Sequence, residues 1–454
     1  MSELIDWVRA ERERFLRELH EIVAIPSISA DPAHAPDVRR CCEVLVERLR
    51  SLGLDAAVLE TNGYPLAYGE WLKAPGKPTA IVYGHYDVQP VDPLELWQSP
   101  PFEAAVRDGK IYGRGAVDDK GQVLMHFAAI EAHLRTRGTL PVNIKVIVEG
   151  EEEIGSPNFE SALAKYELKF AADLAVISDT AVYAEDTPSL TTSIRGLVHW
   201  EVAVYGPAED VHSGYFGGLV VNPIESLSRM IAALKDAGGR VAVPGFYDGV
   251  RDLDPRAREE LQSLEFDEAG QARELGVAEL GGERDRMPLE RQWFRPTLEC
   301  NGIWGGYSGP GNKTIIPSWA KAKISARLAG DQDPERVKAI VKAFLLQSAP
   351  RGVRVEVEAS GDTRAVSTSR DHPGVAAAAR AMQAGFGKIP VFIGSGGTIG
   401  PVSSFDRILH LPQVLIGVGL PDDRIHAPNE KFTLSQFFKG IKTMCILYDE
   451  LAKL

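Results

Sequence analysis

The length, composition and charge of this chain exclude several classes of protein. At 454 residues the chain exceeds the size at which one hydrophobic core usually splits, so two domains are expected. The formal net charge of −13 and the absence of any basic run argue against nucleic-acid binding, which depends on basic patches. No apolar stretch approaches the roughly 20 residues that cross a bilayer, and the charged N-terminus lacks the apolar core of a signal peptide. We therefore expect a cytoplasmic protein that binds neither nucleic acid nor membrane.

The N-terminal part of the chain alternates between helical and strand patterns. Apolar residues at helical spacing predict helices near residues 4–23, 38–52 and 122–134. Short apolar runs predict buried strands before the segments GHYDVQP, EGEEEIGS and ISDT, and again ahead of the loop that contains HAPNE. This alternation predicts an α/β domain with a mostly parallel sheet covered on both faces. The ligand site of such a sheet lies beyond the carboxyl ends of its strands.

The middle of the chain has a different pattern. Residues 196–206 alternate like a strand with one solvated face, and a helix is predicted over about 223–234. A polar stretch, about 238–295, follows as an insertion or excursion. Two further alternating strands, in AKAKISARLAG and VRVEVEA, flank a helix that begins near Asp333. This order predicts a smaller α+β two-layer sandwich.

The order of these patterns predicts that the small domain interrupts the large one. We expect the large domain to comprise residues 1–191 and 367–454, and the inserted domain residues 192–366. The four cysteines form no C-x-x-C pair and are expected to be reduced and mostly buried.

Five potential metal ligands stand at separate places, most of them after a predicted strand: His85, Asp118, Glu153, Asp179 and His426. Two imidazoles and three carboxylates suit two divalent ions that share a bridging carboxylate. Each residue alone has a structural alternative, such as a helix N-cap for an Asp or a solvated face for a Glu run. Five such residues together argue against coincidence and point to metal-assisted hydrolysis of an amide or peptide bond.

Neighbouring carboxylates suggest supporting and catalytic roles. Asp87 lies two residues after His85, so in an extended segment both side chains face the same side. Ligating histidines commonly donate their second N–H to a carboxylate. In the run Glu151, Glu152 and Glu153, one residue could bind metal while its neighbour serves as a general base. Spacing alone does not fix the register within this run.

Two Gly-rich segments of the chain suggest contacts to substrate. DVHSGYFGG places His212 in a loop of the smaller domain, where it could stabilise an oxyanion or could be an ordinary surface residue. GSGGTIGPVS, residues 394–403, offers backbone N–H groups near a predicted helix start, which suits a carboxylate.

Taken together, these motifs resemble the M20 family of metallopeptidases, most closely the branch of cytosolic nonspecific dipeptidases and carnosinase. The resemblance runs from near Ile25 to beyond Phe432. It is carried by GHYDVQP, YGRGAVDDKG, EGEEEIGS, ISD, DVHSGYFGG, KTIIP…ISARL and HAPNE. It implies a zinc-peptidase-like, three-layer α/β catalytic domain with an inserted α+β lid and dimerisation domain.

The resemblance also implies a ligand set. Asp118 would bridge two metal ions, with His85 and Asp179 completing one site and Glu153 and His426 the other. The peptide bond that follows Asp118 would be cis.

Further roles follow from the same resemblance. Aligning E-E-x-G-S on this chain makes Glu152 the general base, and Asp87 would hold His85. His212 would reach the active site of the partner subunit in a homodimer. Three residues match family positions that contact substrate: Thr314, Arg327 and Thr398. Relatives often carry Ser at the last of these.

The function that the sequence predicts is a dinuclear metal-dependent dipeptidase that uses metal-activated water and a Glu base. Each subunit would bind two divalent ions, zinc by preference, with manganese or cobalt also permitted. An M20-type deacylase or carbamoylase acting on N-acyl or N-carbamoyl amino acids is the alternative enzyme. A non-catalytic binding protein on a peptidase fold is the alternative from another class.

Overall fold

A computed structural model describes residues 2–454 and divides them into two compact units. The first unit contains the described residues up to Thr192 together with Thr368–Ile393 and Ile399–Leu454. The second contains Ser193–Ser367 and Gly394–Thr398. The second unit is thus inserted in the sequence of the first. It also includes Gly394–Thr398, which the predicted boundaries assign to the large domain.

The first unit contains a mixed sheet whose four central strands are parallel. They run in the order Asn143–Glu149, Thr79–His85, Leu174–Ile177 and Gln413–Leu415. Antiparallel strands extend the sheet on both sides: Asp55–Leu59 and Leu66–Trp71 beyond the first, and Ser189–Ile194 beyond the last. Six of the seven residues of Thr79–His85 are buried, as expected for a parallel strand covered on both faces. The predicted mostly parallel sheet is confirmed in the part that carries the candidate site.

Helices pack on this sheet. Lys120–Arg137 is buried at every position from Lys120 to His133, so it lies in the core rather than on the surface. The predicted helix over 4–23 is in fact two helices, interrupted at Glu11. The α-helices of the first unit are Ser2–Ala10, Arg12–Val23, Ala35–Ser51, Lys120–Arg137, Phe159–Lys165, Pro373–Phe386, Gly400–Ser404 and Leu434–Leu451.

Shorter elements complete the first unit. A small antiparallel sheet joins Lys431–Thr433 to Lys110–Tyr112, which pairs in turn with Ala105–Arg107. Single helical turns occur at Pro32–His34, Leu94–Leu96, Glu152–Ile154 and Phe405–Leu409. Strand Val391–Ser395, whose last two residues belong to the second unit, pairs with Ser189–Ile194.

The second unit is an antiparallel sheet with helices packed on it. The strand order is Thr297–Gly305, Trp319–Leu328, Gly196–Tyr205 and Arg354–Thr363. Residues of Gly196–Tyr205 alternate in burial, which matches the predicted half-solvated strand. Thr297–Gly305 was not predicted, because this edge strand has only one buried residue and so lacks alternation. The α-helices are Ser213–Phe216, Pro223–Ala232, Pro255–Ser263, Glu268–Glu274, Pro288–Trp293 and Pro334–Ser348.

The predicted fold class, an α/β sheet domain with an inserted α+β sandwich, is confirmed. The predicted insertion around 238–295 contains three of the short helices and then leads into the edge strand. Two short antiparallel strand pairs complete the structure. Val211–His212 pairs with Ile315–Ile316, and Val366–Ser367 pairs with the end of Ser189–Ile194. Within residues 2–454, every helix is too short or too polar to cross a lipid bilayer. Three cysteines are buried and Cys300 is exposed, all of them as free thiols.

Candidate metal centre

Three of the five candidate ligands are placed by adjacent parallel strands. His85 is the last residue of its strand and pairs in register with Glu149, the last residue of the next strand. Glu153 follows in the turn Glu152–Ile154. On the other side, Ile177 is level with Tyr83, and Asp179 comes two residues later. The carboxyl ends of these strands therefore bring the three side chains to one edge of the sheet.

Asp118 lies between the two candidate histidines. Its Oδ1 is 3.0 Å from Nε2 of His85, and its Oδ2 is 3.0 Å from Nε2 of His426. The peptide bond between Asp118 and Asp119 is cis, as the resemblance implies. A carboxylate with one oxygen directed to each imidazole has the arrangement that a ligand shared by two ions requires.

The five residues form two groups with ligand atoms close together. His85, Asp118 and Asp179 make one group, and Asp118, Glu153 and His426 the other, with potential ligand atoms within 4.8 Å of one another in each. Nε2 of His426 is 3.1 Å from Oε2 of Glu153. Asp118 is the only residue common to both groups. The structure thus brings together all five residues that the sequence singled out.

The electrostatics of this cluster are dominated by burial and by its two histidines. Burial alone would raise the pKa of Asp118, but hydrogen bonds to His426 and His85 outweigh it and leave the pKa below the ordinary value. Burial lowers the pKa of His85, yet Asp118 and Asp87 raise it well above normal. Hydrogen bonds to Asp118 and Glu153 raise the pKa of His426 to about 10. Both shifts have one cause: the surrounding carboxylates favour positive charge at this site.

The carboxyl groups of Asp179, Glu152 and Glu153 have raised pKa values because nearby positive charge does not offset burial and mutual repulsion. Burial, with repulsion from Asp118, raises the pKa of Asp179 and of Glu153. Burial, opposed by His85 and reinforced by Glu153, raises the pKa of Glu152 to about 8. Mutual repulsion of this kind is relieved by cations. The donor set of two imidazoles and three carboxylates therefore fits a pair of divalent ions.

Asp87 supports this cluster through several hydrogen bonds. Its carboxylate accepts the backbone N–H groups of Glu152, at 3.2 Å, and Glu153, at 3.0 Å, and the hydroxyl of Ser29 at 2.6 Å. Nδ1 of His85 lies 3.1 Å from the carbonyl oxygen of Asp87 and 3.5 Å from its carboxylate. Asp87 therefore orients His85 largely through its backbone and fixes the Glu152–Glu153 turn through its side chain.

Two supporting residues escaped the sequence reasoning. Gln89, in the GHYDVQP motif, donates from Nε2 to the Glu153 carboxylate at 2.8 Å. Glu430, in HAPNE, is fully buried and accepts a hydrogen bond from the Asp118 N–H at 3.2 Å. Both residues lie inside motifs that the sequence analysis had recognised, Gln89 four residues after His85 and Glu430 four residues after His426. A polar residue at this spacing from a candidate ligand was the pattern that could have identified them.

In the second unit, His212 is an exposed residue at the start of a short helix. Its Nδ1 accepts the N–H of Gly214 at 3.0 Å. A neutral imidazole that accepts at Nδ1 carries its proton on Nε2 and can donate from there. Thr314, also exposed, is adjacent: its carbonyl oxygen accepts the N–H of Ser213 at 3.0 Å.

Arg327 and Thr398 contact each other directly in the second unit. The guanidinium donates to the Thr398 hydroxyl oxygen at 2.5 Å, and that hydroxyl donates to the carbonyl of Arg195 at 2.6 Å. Burial lowers the pKa of Arg327, and burial with repulsion from Arg327 lowers that of Arg195 to about 10. Among residues 2–454 both guanidinium groups donate to neutral oxygens, Arg195 to the carbonyls of Gly396 and Arg295 and Arg327 to Thr398, and Glu299 attracts Arg195 only at longer range. This pair of cations is therefore a place where an anion would be stabilised.

Comparison with known proteins identifies the family. The model of the peptidase family M20/M25/M40 matches residues 81–450. The chain belongs to this family. The resemblance inferred from the motifs is thereby confirmed, and the five clustered residues lie within the region that matches.

Individual relatives of this M20 peptidase cover almost all of its length. A Cys-Gly metallodipeptidase of Candida albicans is 31% identical over 98% of this chain and 96% of its own. The crystal structure of human carnosine dipeptidase 1 superposes with a TM-score of 0.84 at 30% identity, covering 100% of this chain and 99% of that one. An M20 family metallo-carboxypeptidase from Sulfolobus solfataricus gives a TM-score of 0.87 at 33% identity, covering 97% and 99%. The predicted similarity to the dipeptidase and carnosinase branch is confirmed.

Proposed function

We propose that this M20 peptidase is a dinuclear metal-dependent dipeptidase that hydrolyses the peptide bond of dipeptides. The observation that carries the proposal is the position of Asp118, which directs one carboxylate oxygen to each of two histidines at 3.0 Å. Relatives named as a Cys-Gly metallodipeptidase and a carnosine dipeptidase support dipeptides as the substrate class.

The five clustered residues would hold the ions. His85 and Asp179 would bind one ion, Glu153 and His426 the other, and Asp118 both. When bound, divalent ions polarise the scissile carbonyl and lower the pKa of water. Two imidazoles favour zinc, while the oxygen donors also permit manganese or cobalt.

Glu152 is the residue that we assign to proton transfer. It lies beside Glu153 and shares the Asp87 carboxylate as the acceptor of its backbone N–H. Within residues 2–454 the Glu152 carboxylate accepts no hydrogen bond from another side chain. It can therefore accept a proton from the attacking water and pass it to the leaving amine. Asp87 keeps both Glu152 and His85 in place for this step.

His212 is assigned to stabilising the oxyanion through its Nε2–H, supplied to the active site of the partner subunit in a homodimer. The bond from Gly214 to Nδ1 favours the tautomer that this role needs. Exposed apolar side chains near the edge strand Thr297–Gly305 support self-association: Ile303 is 50% exposed, Trp304 42% and Tyr307 45%. A dimer would remove this apolar surface from water.

Substrate contacts are assigned to Thr314, Arg327 and Thr398. The positive charge of Arg327, half-buried and without an ion pair in the part of the chain described, suits the carboxylate of a dipeptide. Cytoplasmic location remains a prediction from the sequence.

The experiment is a hydrolysis panel read by mass spectrometry, with chelator-treated protein to which zinc or manganese is restored. The panel contains Cys-Gly, β-Ala-His, Ala-Ala, tri-Ala and N-acetyl-Ala. Metal-dependent cleavage of dipeptides, with tri-Ala cleaved poorly, is the expected result. Cleavage of N-acetyl-Ala alone would reassign the chain as a deacylase, and efficient removal of the last residue of tri-Ala would reassign it as a carboxypeptidase. No cleavage by protein that binds metal would favour a binding protein.

A further inference from the structure

Glu430 is a fully buried carboxylate that no step of the proposed reaction uses. Its Oε1 accepts the backbone N–H groups of Val117, at 3.1 Å, and Asp118, at 3.2 Å. Its Oε2 accepts the N–H of Gly115 at 3.0 Å and a guanidinium N–H of Arg114 at 2.8 Å. Four donors from one short loop therefore converge on one side chain.

This side chain joins the loops that supply two of the candidate ligands. Its partners lie in the loop that ends at Asp118. Glu430 itself lies four residues after His426, at the end of the loop that carries that histidine. The backbone carbonyl of Glu430 adds a further link, because it accepts the N–H of Gly113 at 3.0 Å. Glu430 thus links the loop that carries Asp118 to the loop that carries His426.

Glu430 is paired with a guanidinium that is itself buried. Arg114 is also buried, with its side chain 1% exposed, and its other terminal nitrogen donates to the Pro90 carbonyl at 3.0 Å. A buried carboxylate that is paired with a guanidinium and accepts three backbone N–H groups holds its loop rigidly.

We propose that Glu430 is a positioning residue of the metal centre, which sets ion affinity by holding the Asp118 carboxylate in register with His426. The inference rests on the metal binding proposed above. Residues that orient metal ligands from behind typically contribute 10–100-fold to affinity or activity.

Glu430→Gln is the decisive variant. Every partner of the two carboxylate oxygens is a hydrogen-bond donor, so the amide NH₂ of Gln must face donors whichever way it turns. The loop that ends at Asp118 must therefore shift to relieve this conflict, while all five candidate ligands remain in the chain.

Glu131→Gln is the matched control. Glu131 is likewise buried, 5% exposed, and accepts from Arg48 at 2.5 Å and from Arg14 at 3.0 Å. It contacts none of the candidate ligands. Both substitutions remove a buried, arginine-paired carboxylate, so both should lower the melting temperature of the metal-free protein.

The measurement is zinc affinity by competition with a chromophoric chelator, together with thermal unfolding of the metal-free proteins. We expect Glu430→Gln to bind zinc about 10–100-fold more weakly than wild type, and Glu131→Gln to bind it with wild-type affinity. Arg114→Lys, which keeps the charge but loses the planar fork, should weaken zinc binding to a smaller extent. Arg114→Lys tests the positioning role if Glu430→Gln does not fold.

Three outcomes would contradict either the positioning role of Glu430 or the proposed metal-dependent function. Wild-type affinity in the Glu430→Gln protein, or in Arg114→Lys where the former does not fold, would refute the positioning role. Equal weakening in Glu131→Gln would refute it as well, since the effect would then follow stability alone. A wild-type protein that binds no zinc or manganese would instead contradict the proposed function itself.

Discussion

His126 provides a prediction whose size follows directly from its surroundings. The imidazole is fully buried between two hydroxyl groups: Nδ1 is 2.9 Å from the Tyr448 oxygen and Nε2 is 2.7 Å from the Ser178 oxygen. The Ser178 hydroxyl donates to the Ile416 carbonyl at 2.8 Å, so its oxygen accepts from Nε2–H. Tyr448 then donates to Nδ1, and the neutral ring is fully satisfied.

Protonation of His126 would break this arrangement. A second N–H would face the Tyr448 hydroxyl, and the new charge would be buried without a counter-ion. Burial accordingly lowers the pKa of His126 from 6.5 to about 3. Because the unfolded chain takes up a proton near pH 6.5 and the folded protein does not, stability falls as the pH drops below 6.5. Proton linkage gives a loss of about 2 kcal/mol between pH 7.5 and pH 5 from this one residue.

The assay compares wild type with His126→Gln by urea unfolding at pH 7.5 and pH 5, in chelator, so that bound metal does not contribute. The variant cannot take up this proton in either state. The advantage of the wild type over the variant in free energy of unfolding should therefore shrink by about 2 kcal/mol at the lower pH. An advantage of equal size at both pH values would show that His126 is protonated in the folded protein and would refute the reasoning.

Two further predictions concern the metal centre. Glu152→Gln should retain its ions but lose about two to four orders of magnitude in kcat, the usual contribution of a general base, and rates near wild type would remove Glu152 from this role. The second prediction concerns the number of ions per chain, measured by mass spectrometry after equilibrium dialysis. It should fall to about one in Asp179→Asn and in Glu153→Gln, since each of these residues belongs to one ligand group. It should fall below one in Asp118→Asn, since only Asp118 belongs to both groups. Equal losses in all three variants would contradict a bridging role for Asp118.

The parts of the site that the sequence predicts are those governed by strand ends. His85 and Asp179 follow short apolar runs that predict buried strands, and parallel pairing then brings their side chains to one edge. The proposal that Asp118 bridges two ions came from the family resemblance and not from spacing. The two oxygens of its side chain, each 3.0 Å from an imidazole, are a property of the folded chain alone.

Other features depend on contacts that no local pattern encodes. Glu430 is separated from Asp118 by more than 300 residues, and nothing in its neighbourhood indicates which N–H groups it will accept. The return of Gly394–Thr398 to the second unit likewise depends on tertiary contacts, such as the bond from Arg195 to the Gly396 carbonyl at 2.9 Å. Local periodicity describes burial, whereas these contacts depend on which distant segment supplies the partner.

The most direct test of the central claim is the rate of Ala-Ala hydrolysis as a function of ions bound per chain, with zinc or manganese added stepwise to the chelator-treated protein. The account predicts negligible activity in the ion-free protein and a rate that rises to its maximum as two ions bind to each chain. Full activity in ion-free protein, or a maximum rate with no ion retained, would contradict metal-dependent hydrolysis.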